Sequence, residues 1–163
     1  MDKKTGFIAL MALATDQVFK LMAESLLEVN HSVSIIKNFF SLTIVHNYGV
    51  SWGMLNGKRF LIIIGTIIVM IIVYYLMKDY RNNIKNNIAF GLLIGGMLGN
   101  FLDRLVLGYV RDFLDFYIFK YNYPVFNIAD ICIVIGIILL IIATIKGEDK
   151  SDNKRKRKSW KIR

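Results

Sequence analysis

Cysteine, proline and histidine are almost missing from this chain. One thiol in 163 residues, Cys132, excludes an intramolecular disulfide and a zinc site built from cysteines. Lying inside an apolar run, it reads as a small buried hydrophobe. The two histidines, His31 and His46, are too few and wrongly spaced for an H-E-x-x-H site and read as ordinary surface or loop residues. No metal and no cofactor is expected. Acidic residues are also scarce, 12 against 21 Lys and Arg, for a formal net charge of +9. The basic excess sits at the chain ends and in one loop, a pattern of membrane orientation that argues against a nucleic-acid partner.

What the chain has instead is apolar length. With 55% hydrophobic residues and a mean hydropathy of +0.48, it is expected to be a single membrane-embedded domain over residues 1–163, ending in a basic cytoplasmic tail from about residue 146. Residues 60–77 carry no charge and form the clearest span, which we expect to be scaffold. A first span is expected over residues 5–27, interrupted by Asp16 and Lys20; with those charges in it and no A-x-A-like cleavage site after it, it reads as a retained helix rather than a signal peptide. Asp16 and Lys20 are four apart, share a helix face and can pair, which lowers the cost of either charge in hydrocarbon. A third span covers residues 88–102, extended toward Asn86, with Gly91, Gly95 and Gly99 at the spacing that lets helices pack closely. Pro124, the only proline, precedes a fourth span over residues 125–145.

Between these spans, residues 28–59 are mixed, and SLTIV (41–45) alternates well enough to suggest a small extramembrane β-sheet. A turn-like break follows at His46 to Gly49, where Gly49 and Gly53 allow a tight backbone path or a close approach to a ligand. Residues 105–123 mix charges with Tyr109, Phe113, Phe116, Tyr117, Phe119, Tyr121 and Tyr123, a composition suited to the membrane interface. Outside the spans, fourteen Lys and Arg lie at the termini and in the 78–85 loop, against six in the other two loops. Both termini are therefore expected in the cytoplasm. The fold class is a mainly α membrane protein with four transmembrane helices, a small extracytoplasmic sheet and an interfacial segment between helices 3 and 4.

The stretch from residue 99 to 130, GNFLDRLVLGYVRDFLDFYIFKYNYPVFNIAD, holds four aspartates between uncharged apolar segments. Carboxylates kept at a membrane boundary usually serve a function, and Asp112 and Asp130 are the candidate catalytic pair. Two nearby carboxyls repel each other's ionisation, so one can hold a proton while the other takes one from water. Asn100 and Asn127 could orient them, and Arg104 could pair with Asp103. A proton-coupled four-helix transporter would spread its carboxylates along a path through the bilayer, whereas these gather at one face. A serine and lysine protease using Lys20 with Ser25 or Ser51 lacks an evident activating arrangement. A non-catalytic membrane subunit would leave the aspartates without a role.

Five blocks in order, DQVFK (16–20), NYGVSWGML (47–55), GNFLDR (99–104), VRDF (110–113) and FNIAD (126–130), make nearly the whole chain resemble bacterial lipoprotein signal peptidase, also called signal peptidase II. The resemblance implies an aspartic endopeptidase that removes signal peptides from diacylglyceryl-modified prolipoproteins, on the amino side of the lipidated cysteine, with Asp112 and Asp130 as its catalytic dyad. It further implies that Asp16, Lys20, Asn47, Gly49, Asn100, Asp103, Arg104, Asn127 and Ala129 support the site or bind substrate. A prolipoprotein substrate, contact with membrane lipids and a monomeric enzyme in the bacterial cytoplasmic membrane are the corresponding expectations, with the active site near the outer face. The chain departs from the family pattern at Val50 and Ser51, where two alanines are frequent, and at Arg111, where an apolar residue is frequent; these departures are expected to touch fine substrate contacts only.

Overall fold

A computed structural model describes residues 1–50, 54–118 and 121–147. Ser51, Gly53, Phe119 and the basic tail beyond residue 147 lie outside the described residues. Four helices are long and apolar enough to cross a membrane: α1 (Lys3–Leu26), α2 (Arg59–Asp79), α3 (Ile84–Val106) and α4 (Ile128–Ile145). Strands β1 (Ser32–Ile36), β2 (Phe40–Asn47), β3 (Val110–Ile118) and the two-residue β4 (Tyr121–Asn122) form an antiparallel sheet in the order β1-β2-β3-β4. The mainly α architecture with a small sheet is as expected.

Helix starts are set by polar side chains that satisfy orphan backbone N–H groups. Asp2 accepts from Lys4 N, Asn83 from Asn86 N and Asn127 from Asp130 N. These caps move two boundaries away from the hydropathy reading. α3 begins at Ile84, enclosing Asn86 and Asn87, and α4 begins at Ile128 rather than at residue 125. The residues before α4 are held otherwise, because Phe126 bridges Leu114 of β3 in strand fashion. β2 likewise runs through His46 and Asn47, which pair with Arg111 and Val110, so His46 is a strand residue and not a loop residue. Residues 105–123, for which composition gave a location and no secondary structure, contain β3.

α3 lies at the centre of the helices. α1 buries Thr5, Ala9, Ala12, Asp16 and Lys20 along the side facing it and Ala23 against Ile44 and Phe113 of the sheet, while Phe7, Leu10, Met11, Phe19 and Met22 face outward. That is the arrangement lipid favours, since hydrocarbon gives apolar side chains no reason to turn inward and close packing depends on small residues. A Cβ on Gly95 would fall 2.5 Å from the Ala9 carbonyl oxygen, and one on Gly99 2.5 Å from Asp16 Oδ2. Gly96 packs equally tightly on the Ala129 carbonyl oxygen of α4. α2 buries only Ile62 and Val73, in keeping with a scaffold helix.

At one end of the bundle Asn82 donates to Asp2, Thr5 to Asn87, and Tyr80 bonds Thr144. The N-terminus, the α2–α3 loop and the end of α4 therefore share one end, and the sheet occupies the other. β3 enters that end directly after α3 and is buried from Val110 to Phe113.

Candidate active site

Asp112 comes from β3 and Asp130 from the first turn of α4, and two carboxamides join them. Asp112 is 3% exposed; its Oδ1 accepts from Asn127 Nδ2 at 2.6 Å and its Oδ2 from Asn47 Nδ2 at 2.9 Å. Asp130, half-buried, accepts at Oδ1 from Asn100 Nδ2 at 2.7 Å and at Oδ2 from the Asn127 backbone N at 3.2 Å. Asn127 closes the set, because its Nδ2 also donates to Asn100 Oδ1 at 3.0 Å and its Oδ1 accepts from Asp130 N at 3.0 Å. Burial, reinforced by the charge of Asp130, pushes the Asp112 carboxyl up to about 7, so it exchanges a proton near neutrality.

Lys20 sits behind this group, fully buried. Its Nζ donates to Asn100 Oδ1 at 3.0 Å and lies 2.8 Å from Asp16 Oδ2 and 3.2 Å from Asp103 Oδ2. An ammonium only donates, so it holds the Asn100 oxygen toward itself and the Asn100 amide nitrogen toward Asp130. Asp16 reaches the same helix start from the other side, accepting from Ala129 N at 2.8 Å. Gly49 donates its N–H to Asn47 Oδ1 at 3.0 Å, and its carbonyl accepts from Arg104 Nη2 at 2.8 Å.

All eleven residues expected at the site thus fall into one connected region, with one partner exchanged. Arg104 forms no salt bridge with Asp103; it donates to Gly49 and Asn100 carbonyls, and its charge interacts with Asp112, Asp130 and, more weakly, Asp103. Asp103 pairs with Arg111 instead, at 2.7 Å. Arg111, where the chain departs from the family pattern, is buried in this polar cluster. Ser25 is exposed and donates to the Met22 carbonyl, while Lys20 is committed to its carboxylates, which argues against a Ser25–Lys20 pair; Ser51 lies outside the described residues. Asp115 accepts from Thr43 at 2.8 Å on the sheet.

Gln17 and Glu24 were not anticipated. Gln17 donates to Asp16, the Gly99 carbonyl and Asp103, and accepts from Arg111; Glu24 accepts from Arg111 at 3.2 Å. A signal existed, since Glu24 follows Lys20 by four residues and Gln17 by seven, which puts all three on one side of α1.

The model of the family described as signal peptidase (SPase) II matches residues 8–146. Lipoprotein signal peptidases of Staphylococcus aureus strains JH9 and Newman are each 42% identical over 150 residues, 91% of this chain and 91% of theirs. Two solved structures of bacterial membrane enzymes share 40% identity with it and superpose with TM-scores of 0.80 and 0.78, covering 87% of this chain and 87% and 92% of theirs. With four membrane-length helices, a carboxylate pair bridged by Asn100 and Asn127 and this breadth of likeness, the chain belongs to the lipoprotein signal peptidase (signal peptidase II) family, proteases that cleave the signal peptides of prolipoproteins.

Proposed function

We propose that Asp112 and Asp130 are the catalytic dyad of an aspartic endopeptidase acting on diacylglyceryl-modified prolipoproteins, cleaving on the amino side of the lipidated cysteine. The observation that carries this reading is the pairing of two carboxylates through Asn100 and Asn127, each with both oxygens hydrogen-bonded by fixed donors. One carboxyl, ionised, takes a proton from water, while the other, protonated, donates to the scissile carbonyl. Attack gives a tetrahedral intermediate, and collapse expels the amine of the new N-terminus with a proton returned from the dyad. No covalent adduct with the enzyme forms.

The basic-residue bias favours both termini in the cytoplasm of a multi-pass bacterial membrane protein, with the dyad near the outer face. In support, Asp2, Asn82 and Thr144 gather at one end of the bundle and the sheet at the other. The test is cleavage by purified protein of a prolipoprotein with and without its diacylglyceryl group. Cleavage of the modified form alone, with the lipidated cysteine as the new N-terminus, is expected; equal cleavage of both, or a cut elsewhere, refutes the assignment. For orientation, single cysteines at His31 and Tyr121, introduced after replacing Cys132, should label from outside intact cells, and labelling only from the cytoplasmic side overturns it.

A further inference from the structure

Arg111 takes no part in the proposed proton transfers, yet few side chains here are better engaged. It is 5% exposed. Its Nη2 donates to Asp103 Oδ1 at 2.7 Å and to Gln17 Oε1 at 2.8 Å, its Nε to Asp103 Oδ2 at 3.2 Å, and its Nη1 to Glu24 Oε2 at 3.2 Å. The Asp103 contact is bidentate, the strongest geometry a guanidinium offers a carboxylate. The main chain of the same residue is also held: its N–H donates to Asp103 Oδ2 at 3.1 Å, and its carbonyl accepts from Asn127 Nδ2 at 3.5 Å. One residue therefore ties β3 to α1, to α3 and to the cap of α4, at the position directly before Asp112.

Resting on the dyad reading, we infer that Arg111 is a positioning residue for Asp112, clamping β3 against α1 and α3 so that the carboxylate meets Asn47 and Asn127 on the opposite face of the strand. Successive residues of a strand point to opposite faces, so fixing one side chain and its peptide fixes the direction of the next. Methionine or leucine would fill the volume but leave Gln17 Oε1, Glu24 Oε2 and one Asp103 oxygen without their Arg111 donors, with the residue-111 N–H on Asp103 Oδ2 the remaining bond from this position to α3.

Charge gives the clamp a second effect. Asp16 and Asp103 share Lys20, and Arg111 supplies the second positive charge that balances them. Without Arg111, Lys20 alone faces both carboxylates and is drawn from Asn100 Oδ1, the contact that orients Asn100 toward Asp130. The groups around Arg111 are Gln17 and Glu24 from α1, Asp103 from α3 with Lys20 and Asp16 behind it, Tyr109 just before β3, and His46 opposite it on β2. Those around Asp112 are Asn47 of β2, Asn127 and Asp130 at α4, Lys20 and Arg104. Loss of a positive charge in this set favours the protonated carboxyl and moves the rate profile to higher pH.

The experiment compares full-length wild type, Arg111→Met, Arg111→Lys and Asp112→Asn, in detergent, on a diacylglyceryl-modified prolipoprotein across pH, with rates normalised to folded enzyme. Arg111→Met is expected to lower kcat about 10- to 100-fold with little change in KM, the scale of a displaced catalytic group, and to shift the profile upward. Arg111→Lys keeps the charge without the fork, so kcat falls less and the profile stays in place. Wild-type kcat and profile in folded Arg111→Met overturn the inference. If that variant does not fold, Arg111→Lys decides: kcat several-fold below wild type at unchanged KM supports the clamp, and wild-type kcat refutes it. Turnover by Asp112→Asn refutes the dyad, a failure distinct from that of the clamp.

Discussion

Asparagine at position 112 tests the dyad, and the structure sets the size of both effects to expect. The two oxygens of Asp112 face the amide nitrogens of Asn127 and Asn47. An amide has one oxygen, so in either orientation Asp112→Asn turns an NH2 against a donor. Neither neighbour can flip to relieve this, because Asn47 Oδ1 is held by Gly49 N and Asn127 Oδ1 by Asp130 N. One buried donor is left without an acceptor, at a cost of about 1–3 kcal/mol. Against the roughly 5–15 kcal/mol of a typical domain the protein still folds. Catalysis loses far more, since general acid–base transfer contributes about 10²- to 10⁴-fold and the remaining carboxyl cannot serve as both acid and base. Asp130→Asn should behave alike, and the double variant should be little worse than either, because the two act as a unit. The assay is cleavage of diacylglyceryl-modified prolipoprotein by purified variants, with thermal unfolding in the same detergent to verify folding. Asp115→Asn, changed on the sheet where its partner is Thr43, should keep most activity. Substantial turnover by either single variant at Asp112 or Asp130 would sink the mechanism.

Three further outcomes follow from the same contacts. Asp16→Ala strips Lys20 of its 2.8 Å partner and Ala129 N of its acceptor, and should cost about 3–5 kcal/mol by thermal unfolding. The double change Asp16→Asn with Lys20→Gln should recover part of the folded yield, and no recovery would show that the pair is not the reason. Gly95→Ala, whose Cβ would press on the Ala9 carbonyl at 2.5 Å, should destabilise by about 1–3 kcal/mol. Gly65→Ala on α2, with nothing within 4 Å, should be neutral or slightly stabilising; equal losses at both positions would contradict the close packing of α1 on α3. Finally, Asp112 titrates near 7 when folded against an ordinary 3.8. Between about pH 4 and pH 7 the folded protein keeps a proton that the unfolded chain has released, so stability falls as pH rises through that window, by up to about 4 kcal/mol, and levels off above it. Asp112→Asn should show a shallower slope than wild type over this window, and equal slopes in the two would refute the assignment.

The helices were legible because hydrocarbon is a demanding solvent. A span must be long and apolar, and a charge inside it must find a partner, so the four-residue separation of Asp16 and Lys20 was enough to foresee the pair that forms at 2.8 Å. The glycines at 91, 95 and 99 announced a close helix contact in the same way. β3 was not legible. Its residues from Val110 to Phe113 are buried, arginine and aspartate among them, so no alternation of polar and apolar positions marks a strand, and the aromatic content fits a membrane interface equally well. Pairing with β2, some 65 residues earlier in the chain at the Asn47–Asp112 bond, and with β4 and Phe126 on its other side makes it a strand.

Gln17 and Glu24, which were missed, and Arg111, whose buried contacts were not foreseen, share one physical cause. Arg111, Gln17 and Glu24 are polar, and a single chain read locally gives such residues no inward direction; a strand arginine next to aromatics looks like a headgroup anchor. Their reason for turning inward lies 94 residues away for Arg111 and Gln17, and 87 for Arg111 and Glu24. In water these side chains would be solvated at the surface. Beside lipid the solvated place is the protein's own interior, so the polar groups of α1, α3 and β3 collect around one another and the apolar ones face out. A site that must hold two carboxylates at the edge of hydrocarbon is built where that inward polarity is densest. Supporting residues in such a protein are therefore found by asking which polar side chains share a face with the charges already known, and Glu24, four residues beyond Lys20 on α1, answers that question from the sequence alone.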